Sequence, residues 1–365
     1  MKVKITKSVL LDNLKIVQNI VPAKGTLPIL QNVKMDAKDG NLTFTCSDLN
    51  QTIITEGSCE VIEEGSTTIP VSDFVAAVSV SAEGPIEMTV NENEKSSFVS
   101  GRFKFNMNGI PASNYPKLPE ADGASVELPQ NVLKDMIRKT SYSESNDGTR
   151  RNLNGSYFSL KDGMLSVVAT DGRRLAVCEY TSDVNPQQGF DIVVPSKAVK
   201  EIAKNLTDEG MCQITIAKSQ ALFTIGNVRI YTKLIDECYP NYRQVIPKEL
   251  KYTITADRND FADMLTRVSV FSKGDSAQMK FHFDGSVCSV SAAHADVGDA
   301  SDMLPIKYDG EPIDVTFNPV YMLEAIRSLD EDEFRICINN GASPVVIRRG
   351  GTDDFLYVLM PLRIS

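Results

Sequence analysis

The chain has 365 residues, of which 42% are hydrophobic and 24% charged, and a formal net charge of −10. At about 100–200 residues per domain this is two or three domains, each able to bury its own core, and the composition excludes a disordered chain. The negative balance argues against nucleic acid or anionic lipid held by net charge, unless basic residues gather on one surface.

The N-terminal stretch carries Asp12 where a secretory signal needs an unbroken apolar run, and no segment reaches the roughly 20 apolar residues of a membrane span. A cytoplasmic protein is the expectation. Cys46, Cys59, Cys178, Cys212, Cys238, Cys288 and Cys337 are scattered without a CxxC pair, which reads as buried reduced thiols.

In chain order the first element is a short strand running into an amphipathic helix, KITKSVLLDNLKIV from Lys4. The same join returns as ELPQNVLKDMIRKT from Glu127 and TITADRNDFADMLTRV from Thr253; the anchors Ile5, Leu128 and Ile254 are 123 and 126 residues apart. Later features keep this register: an Asp-bearing turn at Asp48, Asp171 and Asp296, a second strand-to-helix entry at Ile69, Val194 and Phe317, and a closing alternating strand at Phe105, Tyr231 and Tyr357. Three copies of one unit of about 120 residues follow, with domains expected at 1–124, 125–250 and 251–365. Asp39-Gly40, Asp162-Gly163 and Asp284-Gly285 are hairpin signals. Each unit is therefore predicted as α+β, with two helices packed on antiparallel sheet.

The helices have apolar stripes at i, i+4, i+7: Leu10, Leu14 and Val17, then Phe261, Leu265 and Val268. Between 196 and 206, Val199, Ile202, Ala203 and Leu206 point inward while Lys197, Lys200 and Lys204 share another face; between 130 and 142, Lys134 and Arg138 form an exposed i, i+4 pair. The six helix windows together carry a positive excess of three charges, so the rest of the chain is negative by thirteen.

Signatures of catalysis are missing. There is no GxxxxGK[ST], GxGxxG, GxSxG or HExxH, His282 and His294 have no metal-ligand spacing, and the run Asp330-Glu331-Asp332-Glu333 reads as a solvated loop. A hydrolase or transferase using scattered carboxylates is a rival reading.

Thr26 to Leu30 (TLPIL), Ala169 to Ala176 (ATDGRRLA), Tyr239 to Val245 (YPNYRQV) and Val358 to Arg363 (VLMPLR) resemble, in order and over the whole chain, the bacterial DNA polymerase III beta subunits, the sliding clamps. The resemblance implies a head-to-tail dimeric ring of six domains that encircles double-stranded DNA, non-enzymatic and without cofactor or metal. Its partners would be a clamp loader, the replicative polymerase and repair proteins.

On this resemblance DNA would be met by Lys24, Lys134, Arg138, Arg150, Arg151, Lys197, Lys200 and Lys204. A pocket for short apolar peptides would be walled by Leu153, Thr170, Gly172, Arg174, Leu175, Pro240, Val245, Asn318, Tyr321, Val358, Met360, Pro361, Leu362 and Arg363. The subunit contact would bring Arg102, Lys104, Phe105 and Met107 against Val270, Phe271, Asp296 and Asp299. Arg173, Gln244 and Ser276 depart from the family's common pattern, which leaves the preferred peptide motif open.

Overall fold

The computed structural model describes residues 1–365 except 23–26, 118–119, 183–188, 273, 275–276 and 363–365. The first repeat runs β1 (Lys2–Thr6), α1 (Lys7–Gln18), β2 (Asn32–Lys38), β3 (Asn41–Ser47), β4 (Gln51–Ser58), β5 (Glu60–Glu63), β6 (Gly65–Pro70), α2 (Val71–Val80), β7 (Pro85–Val90), β8 (Lys95–Ser100) and β9 (Phe103–Asn108). The second runs β10 (Ala124–Pro129), α3 (Gln130–Thr140), β11 (Gly155–Lys161), β12 (Met164–Thr170), β13 (Arg174–Thr181), β14 (Phe190–Pro195), α4 (Ser196–Asn205), β15 (Met211–Ile216), β16 (Gln220–Ile225) and β17 (Val228–Lys233). The third repeats that order as β18 (Tyr252–Asp257), α5 (Arg258–Ser269), β19 (Met279–Asp284), β20 (Val287–His294), β21 (Gly298–Pro305), β22 (Ile313–Phe317), α6 (Pro319–Arg327), β23 (Glu333–Ile338), β24 (Val345–Arg349) and β25 (Phe355–Leu359). Among the described strands and α-helices, β5 alone breaks the three-fold correspondence.

The predicted hairpins form where the turn chemistry asks for them. Asp39 and Gly40 have φ of 49° and 76°, and Asp162 and Gly163 have 51° and 78°, the left-handed pair of a two-residue hairpin turn. The helix stripes are buried as expected, at Leu10, Leu14 and Val17 in α1 and at Phe261, Leu265 and Val268 in α5.

The described strands form four antiparallel sheets within two compact units. One unit is Met1–Leu133 with Lys200–Leu234; the other is Lys134–Val199 with Ile235–Ser365. The first unit holds a five-stranded sheet, β5-β1-β7-β8-β9, and an eight-stranded sheet, β10-β15-β16-β17-β4-β3-β2-β6. The second holds an eight-stranded sheet, β14-β11-β12-β13-β25-β24-β23-β18, and a four-stranded sheet, β21-β20-β19-β22.

The eight-stranded sheets join neighbouring repeats through one kind of pairing. The closing strand β17 lies beside β4 of the preceding repeat, with Val228 opposite Thr55, and the closing strand β25 lies beside β13, with Leu175 opposite Val358. The strand corresponding to β4 and β13 in the third repeat is β21, and the closing strand of the first is β9; both are sheet edges.

Five cysteines are buried, but Cys238 is exposed and Cys59 only half-buried, which corrects the expectation of uniformly buried thiols; all seven are free. Burial pushes the Cys178 thiol up to about 12, so it stays protonated and unreactive at neutral pH.

Candidate functional site

The expected peptide site lies within the second unit, and its floor is an apolar cluster. Leu153, Leu175 and Val358 are buried in one core with Val168, Val177 and Tyr239. Register explains the meeting: Thr170 faces Leu175 across β12 and β13, and Leu175 faces Val358 across β13 and β25. Tyr242 and Ile246 pack against the same cluster from a 3₁₀ turn, Tyr242–Val245, whose last residue is exposed.

At one edge stands Arg174, only 9% exposed. Its Nε donates to Asp171 at 3.0 Å, its Nη2 to the Tyr142 carbonyl at 2.5 Å, and its Nη1 to Glu324. The guanidinium lies 4.1 Å from the Tyr321 ring centre, a cation–π contact. Burial works against the charge, but Tyr357, Glu324 and Asp171 more than offset it and hold the pKa above its ordinary value. Asn318 is the N-cap of α6, accepting from the Val320 amide at 2.9 Å, and the Tyr357 hydroxyl donates to the Tyr321 carbonyl at 3.0 Å. Tyr321 is thus fixed at both its backbone and its ring.

The turn before Arg174 is built by its own side chains. The Asp171 carboxylate accepts the Arg173 and Arg174 amides at 2.8 and 3.1 Å, and the Thr170 hydroxyl accepts the Gly172 amide at 3.1 Å. Gly172 has φ of 86°, and a Cβ there would come within 2.9 Å of Arg150 Nη1. After β25 the chain stays docked: the Met360 amide donates to the Arg173 carbonyl at 3.1 Å and the Leu362 amide to Thr316 at 2.8 Å.

Six residues of the expected wall are divided among three depressions. Arg174 and Tyr321 line a polar recess of about 390 Å³ together with Arg150 and Arg173. Met360, Pro361 and Leu362 line a groove of about 800 Å³ beside Lys280 and Phe281. Pro240 lines another of about 650 Å³ floored by Tyr157, Tyr239 and Tyr242. Arg363 and Ser276 lie outside the described residues. Tyr142 and Glu324, which hold Arg174, leave no local trace in the sequence and were not expected.

Of the residues expected to meet DNA, Lys197, Lys200 and Lys204 are exposed along α4, Lys204 bonding Glu201 at 2.7 Å. Lys134 is half-buried, Arg150 and Arg151 are exposed, and Lys24 lies outside the described residues. Arg138 is exposed as expected, but it is also bonded to carboxylates. Its guanidinium bonds Asp135 and Asp330, each at 2.6 Å, and the Ser328 carbonyl at 2.9 Å. The neighbouring Lys139, which sequence reading passed over, is 2% exposed and bonds Asp135 at 2.5 Å. Its position three residues after Met136, on the apolar stripe with Asp135 four residues earlier, was the available signal.

The acidic run follows α6 with Asp330, Asp332 and Glu333 exposed, and it also carries ion pairs that the sequence did not show. Asp330 accepts from Arg138, Glu331 from Arg349 at 2.6 Å, and Glu333 from Lys307 at 2.5 Å. The residues expected at the subunit contact are placed separately in the two units. Arg102 and Lys104 are exposed, while Phe105 and Met107 are half-buried, Phe105 stacking on Phe98 at 4.6 Å. Val270, Asp296 and Asp299 are exposed and Phe271 is half-buried. No cluster of metal-binding side chains occurs among the described residues, and no described helix is long and apolar enough to cross a membrane.

Family models for the N-terminal, central and C-terminal domains of the DNA polymerase III beta subunit match residues 1–119, 127–241 and 243–363. The beta sliding clamp of Bacillus subtilis is 27% identical over 376 residues, covering 100% of both chains, and that of Halalkalibacterium halodurans is 30% identical over 98% of each. Among solved structures, the chain is similar to the DNA polymerase sliding clamp of Bacillus subtilis, with a TM-score of 0.96 and 26% identity over 100% of both chains. It is equally similar to the sliding clamp of Pseudomonas aeruginosa bound to griselimycin, at TM-score 0.96, 26% identity and 100% of both chains. With its three repeats matched in order along almost its entire length, the chain belongs to the DNA polymerase III beta subunit family, the bacterial sliding clamps.

Proposed function

We propose that two copies of this chain close head to tail into a six-domain ring around duplex DNA and tether the replication machinery to it. As a member of its family the chain is a non-catalytic processivity factor for DNA synthesis.

The observation that carries the ring is the pair of unmatched strands. Both internal joints pair a closing strand with the corresponding hairpin strand of the preceding repeat, β17 with β4 and β25 with β13. One strand of each kind remains, β9 and β21. A second copy supplies the missing partner to each, and two such joints complete a closed two-fold assembly from heterologous contacts. Charge supports the match: Arg102 precedes β9 and Lys104 lies in it, while Asp296 precedes β21 and Asp299 lies in it.

DNA is held by backbone phosphate and not by base readout. The lysines of α4 supply that contact, with Lys134, Arg150 and Arg151 as further candidates, while the acidic remainder of the chain repels DNA elsewhere. Arg138 is left out of this set because two carboxylates already take its charge.

Clamp loader, polymerase and repair proteins bind by short apolar peptides over the floor of Leu153, Leu175 and Val358, with Arg174 and Tyr321 at its polar edge. The test loads the protein on nicked circular DNA with a clamp loader and then linearises the circle. A topologically linked ring slides off the ends; retention on linear DNA would refute encirclement.

A further inference from the structure

We propose that Arg173 makes this clamp select partner peptides that carry an acidic side chain next to their apolar anchor. The inference rests on the peptide-site reading and assigns the chemical class of partner to it.

Arg173 is exposed, and its backbone is pinned on both sides. Its amide donates to Asp171 at 2.8 Å, and its carbonyl accepts the Met360 amide at 3.1 Å. Its side chain lines the polar recess, and its backbone is held to the segment that follows β25 at Met360. The recess, about 390 Å³, is the polar neighbour of the apolar floor and is also lined by Tyr321.

The recess contains as many carboxylates as cations, so its total charge says nothing about a ligand. The bonding pattern does. Glu144 accepts from the Ser156 hydroxyl at 2.6 Å. Asp147 accepts from the Thr149 amide and hydroxyl at 2.9 and 2.7 Å. Asp171 is taken by the turn amides and by Arg174. Arg174 is saturated by Asp171, Glu324 and Tyr142, and Arg150 reaches the Asp171 carbonyl at 3.4 Å. Arg150 also pairs with Asp147 at 3.8 Å, so among the described residues Arg173 is the one of the six charged side chains lining the recess with neither an ion pair nor a hydrogen bond. Its planar fork suits a carboxylate, which it can bind through two parallel N–H donors.

The test uses the full chain and two fluorescein-labelled peptides that share an apolar Leu/Phe anchor and differ in one flanking residue, aspartate or its neutral isostere asparagine, scanned along both sides of the anchor. Fluorescence anisotropy gives the ratio of the two affinities. At one flanking position wild-type protein should prefer aspartate by about three-fold, the range of an exposed ion pair, and the preference should shrink as salt rises. In Arg173→Gln the ratio should fall to one, and in Arg173→Glu it should invert. A ratio of one at every position in wild type, or an aspartate preference that survives in Arg173→Gln, would overturn the proposal. Failure of every peptide to bind would instead remove the peptide-site reading itself.

Discussion

Arg138 reaches Asp330 at 2.6 Å, so a residue of the second repeat is clasped by the loop that follows α6 in the third. The guanidinium also bonds Asp135 and the Ser328 carbonyl, which makes it a fastener and not a free cation. Replacing it with alanine should cost about 1 kcal/mol, because the pair is partly exposed, and lower Tm by roughly 2 °C. Lys200→Ala should leave Tm unchanged while weakening retention on circular DNA. Differential scanning calorimetry beside a retention assay separates the two roles; equal Tm for both variants would return Arg138 to the DNA-facing set.

The same clasp sets a response to acid. Burial alone would raise the Asp135 pKa, but the bonds from Lys139 and Arg138 outweigh it and hold the carboxyl below its ordinary value. Glu331 is likewise lowered against its burial by Arg349. A carboxyl depressed in the folded state contributes its full stabilisation above the unfolded pKa, about 4, and loses it as pH falls through the folded value. Tm should therefore hold steady from pH 7 to about 5 on account of these groups and fall below about 4. Asp135→Asn should start lower at pH 7 and lose less on acidification; an identical acid limb in that variant would sink the assignment.

Leu49 stands in a turn that copies the one around Gly172. The Ser47 hydroxyl accepts the Leu49 amide at 3.1 Å and Asp48 accepts the Asn50 and Gln51 amides at 2.9 and 2.7 Å, as Thr170 and Asp171 do in the second repeat. Leu49 thereby takes φ of 72° with an exposed side chain, a conformation that costs a leucine about 1 kcal/mol. Leu49→Asn, which tolerates this region, should raise stability by about 0.5 kcal/mol in urea denaturation. A loss of stability would mean that the leucine side chain contributes more than its backbone strain costs.

The three-fold order was legible because each repeat restates the same periodicities: the apolar stripe of α1 returns in α5, and the Asp-Gly hairpins recur at one offset. The apolar floor of the site was legible from residues near the Asp171 turn and the chain end. The residues of its polar edge, Arg174 and Tyr321, were expected, but the contacts that hold them were not. Glu324 and Tyr142 reach Arg174 from distant segments, and partner choice among long-range charges leaves no local pattern. The same limit hid the partners of Arg138, which is exposed as its spacing predicts but is bonded by Asp330, 192 positions away. The third Asp turn also departs from its copies: the Asp296 amide donates to His294 Nδ1 at 3.3 Å, and Gly298 carries the positive φ of 119°.

The unmatched strands β9 and β21 make a direct prediction about mass. Val270 is 52% exposed, and Phe271 beside it is half-buried. Phe271→Asp should leave a folded monomer, because the change removes apolar area from an interface and buries a charge in it. Sedimentation velocity should show half the wild-type mass with unaltered far-UV circular dichroism. A dimer of unchanged stability would sink the edge-to-edge ring.

On the proposed peptide site Arg174 would couple stability to peptide affinity, and two substitutions can pull these apart. Arg174→Ala leaves Asp171 and Glu324 without their cation and empties the space over Tyr321, so it should cost about 3 kcal/mol. Arg174→Lys keeps the charge but not the fork that serves Asp171, the Tyr142 carbonyl and Glu324 together, and should recover less than half of that. Both should weaken an apolar peptide about ten-fold or more, since Tyr321 loses the guanidinium that holds its ring. Tyr321→Leu should weaken the peptide similarly while sparing most of the stability, because the hydrogen bonds of Arg174 do not pass through that ring. Urea denaturation read beside anisotropy decides the matter: an Arg174→Ala protein that is destabilised yet binds peptide normally would make Arg174 a purely structural residue.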